Sequence, residues 1–498
     1  MNNFDPYTIL GVSTTTTTEE IKRTYRKLAQ RLHPDVNPNN PGAAIQFQDI
    51  TTAYDILSDS LRRRHFEEEF ATSRNPDDMQ FALRVTLSKR SIISLEESQV
   101  IYMLAEIFPP PEVQQDATSS QSRINLTLVL DHSNSMNGIR LEKVKVAAHQ
   151  IIDNLSDDDY ISVVSFNDRA NVIIPATLAQ DKQSLKAQVS MMNAFGGTEI
   201  YQGLSRGVAE NEKFMSAKMV NHVILLTDGH TFGDQDRCLE LASRCAQQGI
   251  GISAMGLGND WNDEFLDDIA SRTGGSSIYI SSAEAVVRFL NNHVRNLANV
   301  FAERMKFSIA TNPDVQMELA FKLSPHPQPL EIDGEYIHLG SLQTSRPIAV
   351  LMQYQMPASM DIGFRNIVRI VASGDILQNV NPQFTAISDL TIEVTSEQHL
   401  EEPPAAILDA LSKLTLYRLQ ERAQQALEDG NIAEATKRLE NLATRLLEMG
   451  EEDLARQTRQ EAQRVAQTMT FSDKGKKTIK YQTRYLLAPG TSIIDEIQ

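Results

Sequence analysis

The pentapeptide Asp131-His132-Ser133-Asn134-Ser135 sets one carboxylate and two hydroxyls on alternate residues. These are hard oxygen ligands, suited to Mg²⁺, Mn²⁺ or Ca²⁺ and not to Zn²⁺ or copper. An apolar run, Ile124-Asn125-Leu126-Thr127-Leu128-Val129-Leu130, precedes them, and a long amphipathic helical pattern follows. The spacing predicts all three side chains at the carboxyl end of a buried strand, the edge where open α/β sheets bind ligands. Two further polar groups occur where such a site would want them. Gly196-Gly197-Thr198-Glu199-Ile200 is a glycine-flexed loop opening a helix, and Leu225-Leu226-Thr227-Asp228-Gly229 ends a buried strand on a carboxylate and a turn glycine. Each has a plain alternative: Thr198 as an N-cap, Asp228 as a turn residue, and Asp131, Ser133 and Ser135 as caps of the following helix.

The elements that must position these groups run from about 121 to 300. Strand patterns at Asn125–Leu130, Tyr160–Ser165, Asn171–Ile174, His222–Thr227, Gly251–Met255 and Ser277–Ile280 alternate with helical stripes such as Leu141, Val144, Ala148, Ile151 and Leu155. That alternation predicts a doubly wound, mainly parallel, Rossmann-like α/β sheet. Asp-x-Ser-x-Ser, then Gly-Gly-Thr, then Thr-Asp-Gly, in that order, resembles a von Willebrand factor A domain with its metal-ion-dependent adhesion site. The resemblance implies hydroxyl ligands from Ser133, Ser135 and Thr198, with Asp131 and Asp228 bound directly or through water. It leaves the sixth position for an acidic residue of a protein partner. Asn134 stands where glycine is commonest in the family. Two carboxylates only partly neutralise a divalent ion, which stays electrophilic; Mg²⁺ suits so small a cage best, with Mn²⁺ or Ca²⁺ possible. His132 and His230 flank the site and read as surface neighbours, not as the base of a water-activating metal. No catalytic residue is assigned, and a non-enzymatic protein is expected.

A second set of chemistry-bearing residues lies near the start. His33-Pro34-Asp35 forms a tight loop between two helical patterns, Ile21, Tyr25, Leu28 and Leu32 in one and Phe47, Ile50, Tyr54 and Leu57 in the other. The opposite face of the first carries Lys22, Arg23, Arg26, Lys27 and Arg31, a basic stripe. Asp5-Pro6-Tyr7, Leu10-Gly11-Val12, this stripe, His33-Pro34-Asp35 and Ala53-Tyr54-Asp55-Ile56-Leu57-Ser58-Asp59 resemble a DnaJ-like J-domain over residues 1–71. The resemblance implies that His33, Pro34 and Asp35 stimulate the ATPase of an Hsp70 (DnaK-like) chaperone and that the stripe docks on its acidic surface. The ending Arg62-Arg63-Arg64-His65-Phe66-Glu67 departs from the family's usual basic-then-Tyr-Asp form. Neither a Gly/Phe-rich segment nor a cysteine zinc module follows, as in the divergent J-proteins.

After a polar linker, Thr72 to Asp78, alternating Phe81, Leu83, Val85 and Leu87 and the run Val100–Phe108 predict strands over 79–118. Two strands do not make a domain. Similar runs return at Met305–Ile309, Ile337–Leu342, Ile348–Tyr354, Ile367–Ala372 and Leu390–Val394, so one β-sandwich, resumed over 303–398, is expected to be interrupted by the α/β segment. Residues 402–470 predict a packed helical hairpin that faintly resembles tetratricopeptide helices, with barely one repeat. Residues 471–498 read as a short tail.

The 498-residue length calls for three or four domains. A net charge of −18 argues against nucleic-acid or anionic-membrane binding. No apolar run reaches the roughly 18 residues of a membrane span, and the start reads as no signal peptide. The two cysteines, Cys238 and Cys245, give no disulfide framework. A cytoplasmic co-chaperone that brings Hsp70 to a partner docked on the A-domain metal is the expected function. The rivals are an adaptor of an AAA+ ATPase in metal insertion or complex remodelling, and a structural scaffold with vestigial sites.

Overall fold

The structure, a computed structural model, describes residues 6, 10, 16–33, 41–64, 80–110, 122–231, 233–332, 336–379, 382–397 and 402–487. Helix α1 (Thr18–Leu32) starts on a capping box, in which Thr17 and Glu20 satisfy each other's backbone N–H groups. It packs on α2 (Pro41–Leu57) through Leu10, Ile21, Ile50, Ala53 and Leu57, and Tyr25 stacks on Tyr54 at 4.1 Å. Burying that stripe leaves Lys22, Arg23, Arg26 and Lys27 exposed on the other face. The 72–78 linker lies outside the described residues.

Strands β1 (Ala82–Leu87), β2 (Ser91–Ile93) and β3 (Gln99–Phe108) open a sandwich that the chain then leaves. It returns to it as β10 to β16, and the two visits share both sheets. One sheet runs β1-β3-β14-β11-β12 and the other β13-β10-β15-β16-β2, with β10 (Val300–Thr311), β11 (Gln316–Ser324), β12 (Gln328–Pro329), β13 (Ile337–Gln343), β14 (Ile348–Met356), β15 (Gly363–Ile376) and β16 (Gln383–Thr395). The inner faces meet at Ile101, Met103, Phe307, Met352, Tyr354 and Ile370. Strands β2, β11 and β12 were not expected. In β11 Met317, Leu319, Phe321 and Leu323 do alternate with Glu318, Ala320 and Lys322, and Lys322 is nevertheless buried, donating its ammonium to the Leu339 carbonyl at 3.3 Å. Burial pushes it down to about 8.

Between the two visits lies a six-stranded sheet, β6-β5-β4-β7-β8-β9. Its strands are β4 (Ile124–Asp131), β5 (Tyr160–Phe166), β6 (Ala170–Leu178), β7 (Val220–Thr227), β8 (Gly251–Leu257) and β9 (Ser277–Ile280), parallel except for the edge strand β6. Helices α3 (Ile139–Asn154), α4 (Lys182–Ser190), α5 (Ile200–Asn211), α6 (Gln235–Gln248), α7 (Asp263–Thr273) and α8 (Ala283–Ala298) cover it. Every residue of β4 and β7 is buried, as a strand covered on both faces requires.

The C-terminal region is larger than a hairpin. Helices α9 (Ala405–Glu428), α10 (Ile432–Glu448) and α11 (Glu452–Thr468) are followed by α12 (Asp473–Leu487), where a tail was expected. Lys476, Lys477, Lys480 and Arg484 of that segment all find partners on the A-domain. Lys480 meets Asp263 at 2.5 Å and Asp267 at 2.8 Å, and Arg484 grips Asp267 with both terminal nitrogens at 2.8 and 2.9 Å. Tyr481 packs beside Trp261 and Tyr279. Burial alone would raise the Asp267 carboxyl, but the charges of Arg484 and Lys480 outweigh it and hold it well below the usual range. Removing one member of a buried ion-pair cluster strands the others without compensation. Asp267→Ala is therefore expected to weaken the seat of α12 by about 3–5 kcal/mol. Hydrogen exchange would read this as lost protection over 473–487, with the β3–β14 ladder unchanged.

Candidate metal centre

The edge that carries the candidate site is set by two neighbouring strands. β4 and β7 pair in parallel with Leu130 opposite Leu226, so both chains leave the sheet together, into Asp131 and Asp228. The chain turns to β5 on one side of β4 and to β7 on the other, a topological switch point.

Asp131 is fully buried, with Oδ1 accepting the Ser133 N–H at 2.8 Å and Oδ2 accepting the Thr227 hydroxyl at 2.6 Å. Burial pushes its carboxyl up to about 6 against those hydrogen bonds, with the Asp228 charge adding to the rise. A single 3₁₀ turn, Asn134–Met136, then folds the loop back, anchored by the buried Met136. It brings the Ser133 and Ser135 hydroxyls to 3.0 Å of each other, and Ser135 donates to Asp228 Oδ1 at 2.6 Å.

The glycine loop is tied to this turn from below. Phe195 N–H donates to the His132 carbonyl at 2.8 Å and Asn134 N–H to the Gly196 carbonyl at 3.1 Å. Gly196 takes φ +81°, a conformation that costs glycine least. Gly197 N–H donates to the Asp168 carboxylate. Thr198 thereby stands over Gly229, close enough that a Cβ there would lie 3.1 Å from its hydroxyl oxygen. All five residues singled out in the sequence converge on one edge, and Thr198 is not the N-cap: that position is Glu199.

The donor set is made of hydroxyl and carboxylate oxygens, the chemistry a hard divalent ion takes. Neighbouring oxygens in an octahedral Mg²⁺ shell, each about 2.1 Å from the ion, lie about 3.0 Å apart. The Ser133–Ser135–Asp228 spacings of 3.0 and 2.6 Å are of that size. These residues fit a small cation. The outer oxygen of Asp228 is held by Arg140 at 2.5 Å.

Four supporting residues escaped the sequence reading. Thr227 lies within the quoted Thr-Asp-Gly but reads as strand filler. Asn167, which donates its amide to the Phe195 carbonyl at 2.9 Å, and Asp168 follow β5 at the same sheet edge, which is a usable signal. Arg140, in the first turn of α3, has none. His132 corrects an expectation: it is buried, with Nδ1 on the Asn193 carbonyl at 2.8 Å and its ring edge-on to Phe195, whereas His230 is exposed as expected. Away from this edge, His33 ends α1, exposed and edge-on to Phe47; Pro34, Asp35 and the Arg31 side chain lie outside the described residues.

The Thr227 hydroxyl does two jobs, donating to Asp131 and accepting the Gly229 N–H. Thr227→Val keeps the shape and leaves a buried carboxylate oxygen without its donor. A loss of about 1–3 kcal/mol is expected in urea unfolding of the metal-free protein.

Comparison with known proteins agrees with this layout. Family models for the DnaJ domain, the von Willebrand factor type A domain and the "Sll0103-like, C-terminal alpha-helical domain" match residues 5–67, 125–293 and 405–489. The chain is 29% identical over 331 residues to the uncharacterized protein sll0103 of Synechocystis sp., covering 64% of this chain and 78% of that protein. It is 48% identical over 77 residues to chaperone protein DnaJ 2 of the same organism, spanning 15% of this chain and 25% of the chaperone. A solved von Willebrand factor type A protein from Catenulispora acidiphila superposes with a TM-score of 0.65 at 15% identity, over 82% of this chain and 98% of that one. The ArnB paralog VWA2 from Sulfolobus acidocaldarius does so with a TM-score of 0.53 at 13% identity, over 81% and 98%. At these identities the two structures speak for the fold. The chain is a J-domain joined to a von Willebrand factor type A domain, followed by a C-terminal helical domain.

Proposed function

We propose that this protein is a non-enzymatic, cytoplasmic J-domain co-chaperone. Asp131, Ser133, Ser135, Thr198 and Asp228 of its A-domain would hold Mg²⁺ and leave it a position for the carboxylate of a docked protein partner. The J-domain brings a DnaK-like Hsp70 to that partner. The observation that carries this reading is the convergence of five oxygen-bearing residues on one sheet edge in a chain that also holds a J-domain.

The chemistry follows from the residues. When bound, the ion supplies an electrophile that a partner's carboxylate can complete. Thr227 and Ser133 hold the Asp131 carboxylate in place, and the Asp168 carboxylate holds the glycine loop that carries Thr198. In the J-domain sequence, proline at 34 restricts the backbone and Asp35 supplies a carboxylate for an arginine of Hsp70. The exposed Lys22, Arg23, Arg26 and Lys27 give a positive docking face on a chain of net charge −18. Such docking favours fast, salt-sensitive encounter over tight binding.

Steady-state ATP hydrolysis by a DnaK-like Hsp70 is expected to rise on adding the chain and to return to its basal rate with His33→Gln. No rise with the intact chain would refute the co-chaperone half. Partner capture in Mg²⁺ is expected to weaken by more than about tenfold in Asp131→Ala or Thr198→Ala. Equal capture with the ion removed would refute the other half. Capture of an AAA+ ATPase under ATP, with Hsp70 turnover unmoved, would favour the adaptor reading.

A further inference from the structure

The sheet has a second polar feature, at the end opposite the candidate metal centre. His293 of α8 packs against His222, close to the amino end of β7, and against His326 of the sandwich, with ring centroids at 5.5 and 6.3 Å. Beside them is a cavity of about 70 Å³ where three parts of the molecule meet. Arg288 and His293 come from the A-domain, His326, Gln328 and Arg346 from the sandwich, and Arg484 from α12. A single water needs roughly 10–15 Å³ of such space, so the cavity has room for a polyatomic group.

Its lining is unusual in what it leaves unpaired. Arg288 Nε, His293 Nε2, Gln328 Nε2 and Arg484 Nε are buried without a hydrogen-bond partner among the described residues. His293, Gln328 and Arg484 are each more than nine-tenths buried. An unmet buried donor costs about 1–3 kcal/mol, and here several belong to one cavity wall. No carboxylate lines the cavity, and among the described residues neither Arg288 nor Arg346 has an acidic partner. Arg484 spends its two terminal nitrogens on Asp267, so among the described residues Arg288 and Arg346 are the lining arginines without an acidic partner.

Donor-bearing side chains reach the cavity from three parts of the molecule, with three arginines and no carboxylate among them. They suit a tetrahedral oxyanion, which arginine recognises through its fixed fork of N–H groups. We propose that this cavity is a binding site for a phosphate dianion, free or as the end of a small phosphomonoester. Its occupancy pins the A-domain, the sandwich and α12 to one another. The site is separate from the candidate metal centre and stands or falls independently of it.

The test uses the full chain stripped of divalent ions on a chelating resin. Inorganic phosphate is titrated by calorimetry and by thermal melting against chloride at equal ionic strength. Saturable binding and a raised melting temperature are expected with phosphate and not with chloride. Arg288→Gln and Arg346→Gln are each expected to weaken binding by about tenfold or more while melting like the parent in chloride. Glycerol 3-phosphate distinguishes the source. Tighter binding than phosphate supports an esterified ligand and weaker binding supports the free anion. Absence of saturable phosphate binding, or unchanged affinity in both variants, would overturn the proposal.

Discussion

The parallel pairing of β4 with β7 is the constraint on which the candidate site depends. With Leu130 opposite Leu226, Asp131 and Asp228 must emerge side by side from a sheet whose two central strands are wholly buried. Everything else at that edge answers to those carboxylates. Thr227 and the Ser133 N–H satisfy Asp131, Ser135 and Arg140 satisfy Asp228, and the glycine loop is hydrogen-bonded into place beside them. Burial alone is costly for a carboxylate, as the rise of Asp131 to about 6 records. A divalent cation is the group that would reverse that cost most directly.

Around this unit the chain builds a support that is continuous though its sequence is not. β3 lies between β1 and β14, and β2 completes the other sheet beside β16, so the A-domain is held at both ends by one sandwich. α12 then crosses back to the A-domain and buries Lys480 and Arg484 on Asp263 and Asp267. The J-domain is attached differently, with Phe364 of β15 reaching into its small core.

Much of this was legible in the sequence, because it rests on local pattern. Mainly apolar runs gave the buried strands, 3.6-residue stripes gave the helices, and oxygen-bearing residues after two of those strands and in one glycine loop gave the site. What escaped was whatever depends on distant partners. Burial of Lys322 could not be read from β11 itself, because the carbonyl that accepts from its ammonium comes from β13. Residues 471–498 read as a tail because the carboxylates that hold Lys476, Lys480 and Arg484 lie some two hundred residues earlier, on α7. His132 looked like a surface neighbour because the carbonyl that buries it belongs to Asn193. Thr227 was in view throughout, and only the structure gives its hydroxyl a task.

The central claim, that five side chains form one cation site, is tested most directly by titrating Mn²⁺ into the metal-free chain and following the free ion by electron paramagnetic resonance. One saturable ion per chain is expected, displaced by Mg²⁺ and lost in Thr198→Ala, which removes a single hydroxyl and no charge. No saturable ion, or one that binds Thr198→Ala as well as the parent, would contradict it.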